Sequence, residues 1–419
     1  MKSLEEMMLG RRQFVAAGLS GAAMLALAAC GGSGSSEAPA AEGDAADAAA
    51  IKVGLICLHD ENSTYDLNFI NGFKEAMGAL GVAEGDYMIK TNIPEGQECY
   101  DAAAELADAG CKLIFADSFG HEDYMIQAAK EFTEVQFCHA TGTKAHTEGL
   151  SNYHNAFASI YEGRYLAGVA AGLKLQEMAE AGQLKGAAPK MGYVGAYTYA
   201  EVVSGYTSFY LGAKSIVPDV TMDVTFTGSW YDETAEKEGA TKLINAGADL
   251  ISQHADSMGA PTACENAGVP DVSYNGSTID ACPNTFIVSS RIDWAPYYTY
   301  AYNAVVAGDA IDADWTGDLA TGSVKLTEVN EAVAAAGTAD KLAEVQAGLE
   351  DGSIHVFDTA NFTVEGKALD SYMADVDTDA AYEGDTEVIK DGYFHESEFR
   401  SAPYFDLQID GINLLDTAF

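Results

Sequence analysis

Basic residues are scarce in this chain. Lys and Arg number 22 against 64 Asp and Glu, a formal net charge of −42. A field of that sign repels nucleic acid and anionic headgroups, so no nucleic-acid partner is expected. Catalytic signatures are also missing. There is no G-x-x-x-x-G-K-[ST] phosphate loop, no G-x-S-x-G elbow, no H-E-x-x-H helix and no metal-spaced histidine cluster. None of the seven cysteines falls in a CxxC pair, so zinc is not indicated and no metal or cofactor is expected. Cys57, Cys111 and Cys138 lie in or beside apolar runs and read as buried thiols. Cys264 and Cys282 flank one predicted strand, which leaves a disulfide between them open. Beyond the N-terminus no segment combines the length and apolarity of a membrane span.

The N-terminus carries the clearest positive signal. Arg11 and Arg12 precede an apolar run from Phe14 to Ala29, which ends in Leu27-Ala28-Ala29-Cys30. A basic region, a short apolar stretch and small residues before a cut site predict a bacterial export signal over residues 1–29. Cys30 directly after the cut predicts lipidation of its thiol, and so a membrane-anchored, extracytoplasmic protein. Arg11-Arg12-Gln13-Phe14 also resembles the core of a twin-arginine signal, which leaves the export route open. Residues 30–50 contain no large apolar side chain. Burial there cannot offset the entropy lost on ordering, so the segment reads as a flexible leash.

The chain beyond this leash is too long for a single core, and 48% of all residues are apolar, so two lobes are expected. Short apolar runs alternate with helical patterns. Ile51 to Leu58 reads as a buried strand, and Tyr65 to Leu80 as a helix with Phe69, Phe73 and Met77 on one stripe. The alternation continues through Val135 to His139, then restarts with a helix at Glu162 to Ala179 and runs to Val306. This pattern predicts an α/β protein of two doubly wound, Rossmann-like lobes joined by a hinge. The expected boundaries are 51–158 with about 288–312 for the first lobe, and 159–287 with about 313–419 for the second. The tract beyond Asp309 is acidic and irregular, and reads as decoration of the second lobe that returns across the hinge.

In open parallel sheets ligands bind beyond the carboxyl ends of the strands. The loops there are His59 to Asp66, Asp117 to Asp123, Gly195 to Tyr199, Gly228 to Asp232, His254 to Ser257 and Asn275 to Ser277. They are rich in aromatics, amides, hydroxyls and carboxylates, and none holds Lys or Arg. Such a lining suits a flat, largely uncharged ligand with several hydrogen-bonding edges. The expected ligand-binding residues are Thr64, Tyr65, Asp66, Asp123, Trp230, His254, Asp256, Ser257, Asn275 and Trp294. Several residues of these loops have a structural alternative. Thr64 and Ser229 can cap helices, Asp60, Asp123 and Asp232 can be solvated acids at helix starts, and Tyr65 and Trp230 can pack between lobes. Asp60, Asp66 and His254 also leave open an acid–base role in an exported hydrolase such as a nucleosidase.

Thr64-Tyr65-Asp66 followed by Gly72 resembles the Ser-Phe-Asn…Gly signature of the basic membrane protein family. These are lipoprotein substrate-binding components of ABC importers and include purine nucleoside receptors. Phe119-Gly120…Asp123, Glu162-Gly163…Leu166-Ala167-Gly168, Gly192-Tyr193-Val194-Gly195, Gly228-Ser229-Trp230-Tyr231-Asp232 and Gly247-Ala248-Asp249 are similar to the family's pattern in the same order. The resemblance runs from about Ile51 to Val306. It implies a type I periplasmic-binding-protein architecture, no enzymatic activity, and ABC permease subunits as partners. It also implies a purine base or nucleoside ligand held between Tyr65 and Trp230, with Asp66 on the base. The family places an acid and a lysine near the ribose. Here the matching positions are Asn275 and Ser289-Ser290-Arg291, with no lysine. That departure predicts that a free base such as adenine binds more tightly than its nucleoside. The same receptor holding another flat ring, such as a flavin, is the remaining alternative.

Overall fold

The computed structural model describes residues 50–376, 384 and 386–419. The expected export signal, Cys30 and all of the leash but Ala50 lie outside the described residues. In chain order the strands are β1 (Lys52–Ile56), β2 (Tyr87–Lys90), β3 (Cys111–Ala116), β4 (Gln136–Ala140), β5 (Tyr153–Ala158), β6 (Lys190–Gly195), β7 (Thr221–Phe226), β8 (Leu250–His254), β9 (Asp271–Tyr274), β10 (Phe286–Ile292), β11 (Asp314–Gly317) and β12 (Val324–Leu326). One sheet has the order β11-β5-β4-β3-β1-β2. The other runs β12-β10-β9-β8-β6-β7 and ends in the strand Ile412–Leu414. Only β12, paired to β10, runs antiparallel in them. The expected pair of doubly wound lobes is therefore present.

Both sheets are covered on two faces, which is why their strands read as near-continuous apolar runs. In β1 every residue after Lys52 is buried. The helix Thr64–Leu80 starts at Ser63, whose hydroxyl accepts from the Asp66 N–H, and stops at Gly81, which takes φ 72°. Its Phe69, Phe73 and Met77 are fully buried, each contributing at most about 1.5–3 kcal/mol. β5 escaped the sequence reading because His154 and Asn155 interrupt its apolar run. Each side chain finds a partner: His154 Nε2 pairs with Gln136 Oε1 at 2.8 Å, and Asn155 Oδ1 accepts from the Ala145 N–H at 2.8 Å.

The expected lobe boundaries need correction at the crossovers. All of β10 hydrogen-bonds within the second sheet, so the chain returns to the first lobe after Ile292 rather than at 288. The helix Ala295–Ala307 then packs against Thr64–Leu80. β11 adds to the edge of the first sheet beside β5, although residues from 313 onward were expected in the second lobe. The chain thus crosses after β5, after β10 and after β11. Alternating apolar runs do not encode which sheet a strand joins, and these short edge strands carry little pattern of their own. Cys264 and Cys282 are both buried free thiols, so the open disulfide is not formed.

Two glycines set the spacing of the second lobe's outer layer. The helices Ile160–Glu180 and Ala200–Lys214 pack so closely that a Cβ on Gly168 would lie 2.0 Å from the Phe209 carbonyl oxygen. A Cβ on Gly212 would lie 2.1 Å from the carbonyl oxygen of Tyr165. These are backbone atoms and cannot rotate aside. Gly168→Ala is therefore expected to destabilise the protein by about 1–3 kcal/mol. Gly78→Ala, with nothing within 4 Å of its new methyl, should be neutral or stabilising, by up to about 1 kcal/mol. Thermal melts followed by circular dichroism compare the two.

Several carboxylates are buried in this frame. Burial pushes Glu162, Glu236, Asp271 and Glu396 each up to about 7. A carboxyl whose folded pKa exceeds its unfolded value binds more protons in the native state, so its stabilisation falls as pH rises. It is complete below the unfolded value of about 4 and lost once pH passes about 7. The melting temperature should therefore decline between pH 5 and pH 8. A rising melting temperature over that interval would contradict neutral burial of these groups.

Candidate functional site in the interlobe cleft

The strand orders β2-β1-β3-β4-β5 and β7-β6-β8-β9-β10 each reverse beside their first strand. Neighbouring loops diverge at such a switch point and leave a crevice at the carboxyl ends. The two crevices combine in a cavity of about 560 Å³. His59 and Tyr65 reach it from beyond β1, Ser118 and Phe119 from beyond β3, and Thr141 and Thr143 from beyond β4. The second lobe supplies Thr198, Tyr199 and Glu201 after β6, Trp230 after β7, His254 and Asp256 at the end of β8, and Tyr274 at the end of β9. The lobes touch around the cavity. The Thr64 N–H and hydroxyl both donate to the Asp256 carbonyl, at 3.1 and 3.2 Å. The rings of His59 and Tyr231 lie 5.4 Å apart, as do those of Phe119 and Tyr199.

Five of the expected residues line this cavity: Tyr65, Asp66, Trp230, His254 and Asp256. The Tyr65 ring is positioned by its hydroxyl, which donates to the Asp117 carbonyl at 2.7 Å. Trp230 stands edge-on to Tyr197 at 5.2 Å. Asp66 accepts from the His59 N–H at 2.8 Å and from the Ser63 hydroxyl at 2.6 Å. His254 Nε2 pairs with Glu201 Oε1 at 2.8 Å.

The other five sit elsewhere. Thr64 bridges the lobes. Asp123 is exposed and pairs with Lys144 at 2.5 Å. Ser257 is buried against a helix start, where its hydroxyl accepts from the Gly259 N–H at 3.0 Å. Asn275 takes φ 66° and donates to Asp256 Oδ1 at 3.4 Å, so it supports a cavity residue from behind. Trp294 is core, stacked on Phe69 with centroids 4.3 Å apart. The ribose-side stretch is also absent from the lining: Arg291 hydrogen-bonds Asn68 at 3.4 Å.

A third wall was missed entirely. Tyr372, Met373, Asp375, Arg400, Tyr404 and Asp406 line the cavity from the C-terminal tract. Arg400 is the only Lys or Arg among the described lining residues. It is also the only arginine after Arg291, and that isolation in an acidic tract was the available signal.

Electrostatics follow from burial. Asp256 is held well above the usual carboxylate range, first by burial and then by Asp66, Glu236 and Glu201. This environment favours its protonated form, which can donate as well as accept. Asp117 is raised in the same way, by burial and by Asp66. Burial also opposes ionisation of Asp66, but hydrogen bonds from His59 and Ser63 win and lower its pKa. Cys57, Asp66 and Asp117 bring ligand atoms within 4.8 Å of one another beneath the cleft. One oxygen of this group, Asp117 Oδ2, has no hydrogen-bond partner among the described residues. Among the described residues no helix is long and apolar enough to cross a membrane.

A purine-binding protein of Brucella abortus is 35% identical over 62% of this chain and 69% of its own length. A Haloferax volcanii protein named as an ABC transporter glucose-binding protein is 32% identical over 54% of each chain. A solved solute-binding protein of an ABC transporter system from Aeropyrum pernix shares the fold at a TM-score of 0.62. It is 17% identical and covers 73% of this chain and 93% of that one. The family model for PnrA-like ABC transporter substrate-binding proteins matches residues 57–354. With the two-lobed fold and the cleft at its switch points, that match makes this chain a member of the PnrA-like family of ABC transporter substrate-binding proteins.

Proposed function

We propose that this protein is an extracytoplasmic, lipid-anchored receptor that captures a purine base or nucleoside and delivers it to an ABC permease. One observation carries the reading: the cavity takes aromatic rings from both lobes, Tyr65 and Phe119 from one, Tyr199 and Trp230 from the other. Flat rings stack on such walls, while Asp66, Asp256, Glu201 and His254 between them can pair with the edges of a heterocycle. The Brucella relative, named for purine binding, supports the same class. Capture is a population shift. A ligand that touches both lobes binds the closed arrangement better and draws the hinge toward it. Asp60, invoked for a hydrolase, does not line the cavity and instead accepts hydrogen bonds from Asn62. That weakens the nucleosidase alternative. A flavin would meet the same aromatic walls and is told apart by mass spectrometry of ligand released from purified protein.

Trp230→Ala and Tyr65→Ala should each weaken purine binding by about 1–3 kcal/mol, the size of a base–aromatic stack. Calorimetric titration measures this, and near-wild-type affinity in both variants would remove stacking from the reading. The anchor is tested separately. Cys30→Ala should abolish acylation and release the protein from the membrane fraction, since this residue supplies the attachment thiol. An acylated variant that stays in the membrane would refute that assignment.

A further inference from the structure

We infer that the described C-terminal residues Tyr372, Asp375, Arg400, Tyr404 and Asp406 form a working wall of the ligand site, and that this wall selects a nucleoside over its free base by holding the sugar. This rests on the purine reading above and deepens it. The tract lies beyond residue 354, where the family match ends, yet it closes one side of the cavity.

Its course explains how it gets there. The final strand Ile412–Leu414 is fixed beside β7 on the outer edge of the second sheet. The residues before it run back along both lobes. The Tyr206 hydroxyl of the second lobe donates to Gln408 Oε1 at 3.2 Å. On the first lobe, the Ser401 N–H donates to Asp314 Oδ1 at 2.7 Å, at the start of β11. An aromatic cluster of Phe357, Phe394 and Phe405 packs the tract from within. The described residues of the tract are therefore part of the folded body.

The wall has the chemistry that a sugar requires. A sugar hydroxyl both donates and accepts, so its site needs acceptors and donors together. Asp375 and Asp406 bring carboxylates, and Arg400 brings a guanidinium. Arg400 is 7% exposed. Its Nε and Nη2 donate to the carbonyls of Ala402 and Pro403 at 3.1 and 3.2 Å. Its Nη1 has no hydrogen-bond partner among the described residues. An unpaired buried donor is costly, and an oxygen-rich ligand relieves the cost. The Tyr372 hydroxyl donates to Asp406 at 2.6 Å and orients that carboxylate.

Size points the same way. A cavity of about 560 Å³ falls in the range of about 300–1,000 Å³ that holds a drug-sized ligand. A free purine has about half the non-hydrogen atoms of its nucleoside and would leave this wall without a partner. The positions that the family resemblance assigned to the ribose, Asn275 and Ser289 to Arg291, do not line the cavity. The reason for favouring a free base was the missing lysine in that stretch, and Arg400 supplies a cation from elsewhere.

The test titrates the intact protein with paired ligands: adenosine and adenine, guanosine and guanine, inosine and hypoxanthine. The variants are Arg400→Gln and Asp406→Asn. The inference expects wild type to bind nucleosides more tightly than bases. It also expects each variant to reduce that preference by about tenfold or more, the scale of one hydrogen bond to a charged group. Asp406 is exposed, so its variant carries the test if Arg400→Gln fails to fold, as judged by thermal melts. An unchanged preference in the folded variants overturns the inference, as does wild type binding the base at least as tightly. Binding of neither bases nor nucleosides by wild type overturns the purine reading itself, and the wild-type titrations alone reveal that outcome.

Discussion

One buried guanidinium holds the second lobe's architecture to its binding face. Arg164 is fully buried on the helix that follows the first crossover. Its Nη2 donates to the Tyr193 hydroxyl and the Ser252 hydroxyl, both at 2.9 Å, and its Nη1 to the Ser273 carbonyl at 3.3 Å. It thereby touches β6, β8 and β9 at once, and it packs over the rings of Phe209, Tyr193 and Tyr274. Two of these contacts lead straight to the cleft. Tyr274 lines it, and the Tyr193 hydroxyl meets His254 Nδ1 at 3.4 Å. A charge in this setting needs partners for its donors, and both Nη1 and Nη2 have them, while Nε has none among the described residues. The helix, the strands and the site behind them must therefore be positioned together. In a chain of net charge −42 the buried cation also partly offsets the burial that pushes Asp271 up to about 7.

The two lobes repeat one solution. Each sheet reverses its strand order beside its first strand, and each places loops of aromatic and hydrogen-bonding residues beyond that point. The cavity forms only where the two crevices meet. Thr64 holds the lobes together through the Asp256 carbonyl without itself lining the cavity.

Much of the fold was legible in the chain. Buried parallel strands are continuous apolar runs, and their helices carry 3.6-residue stripes, as in Phe69, Phe73 and Met77. Those signals are local and survive without tertiary context. Strand-end loops follow from the same alternation, which is why Tyr65, Asp66, Trp230, His254 and Asp256 could be named and are found at the cavity. β5 was illegible because its polar residues are satisfied by partners elsewhere in the sheet and on a neighbouring helix. Trp294 and Ser257 were misplaced because a loop residue's direction depends on what packs beneath it.

By itself the sequence determined the α/β class, the two lobes, the family resemblance and the set of loops from which a ligand site must be built. Each of these rests on spacing between near neighbours in the chain. Tertiary structure alone decided which sheet β10 and β11 join, which loop residues face the cavity, and that Arg400 reaches it. Those outcomes depend on hydrogen bonds between segments that are distant in the chain, such as Ser401 with Asp314 and Ile412–Leu414 with β7. No local periodicity records such pairings.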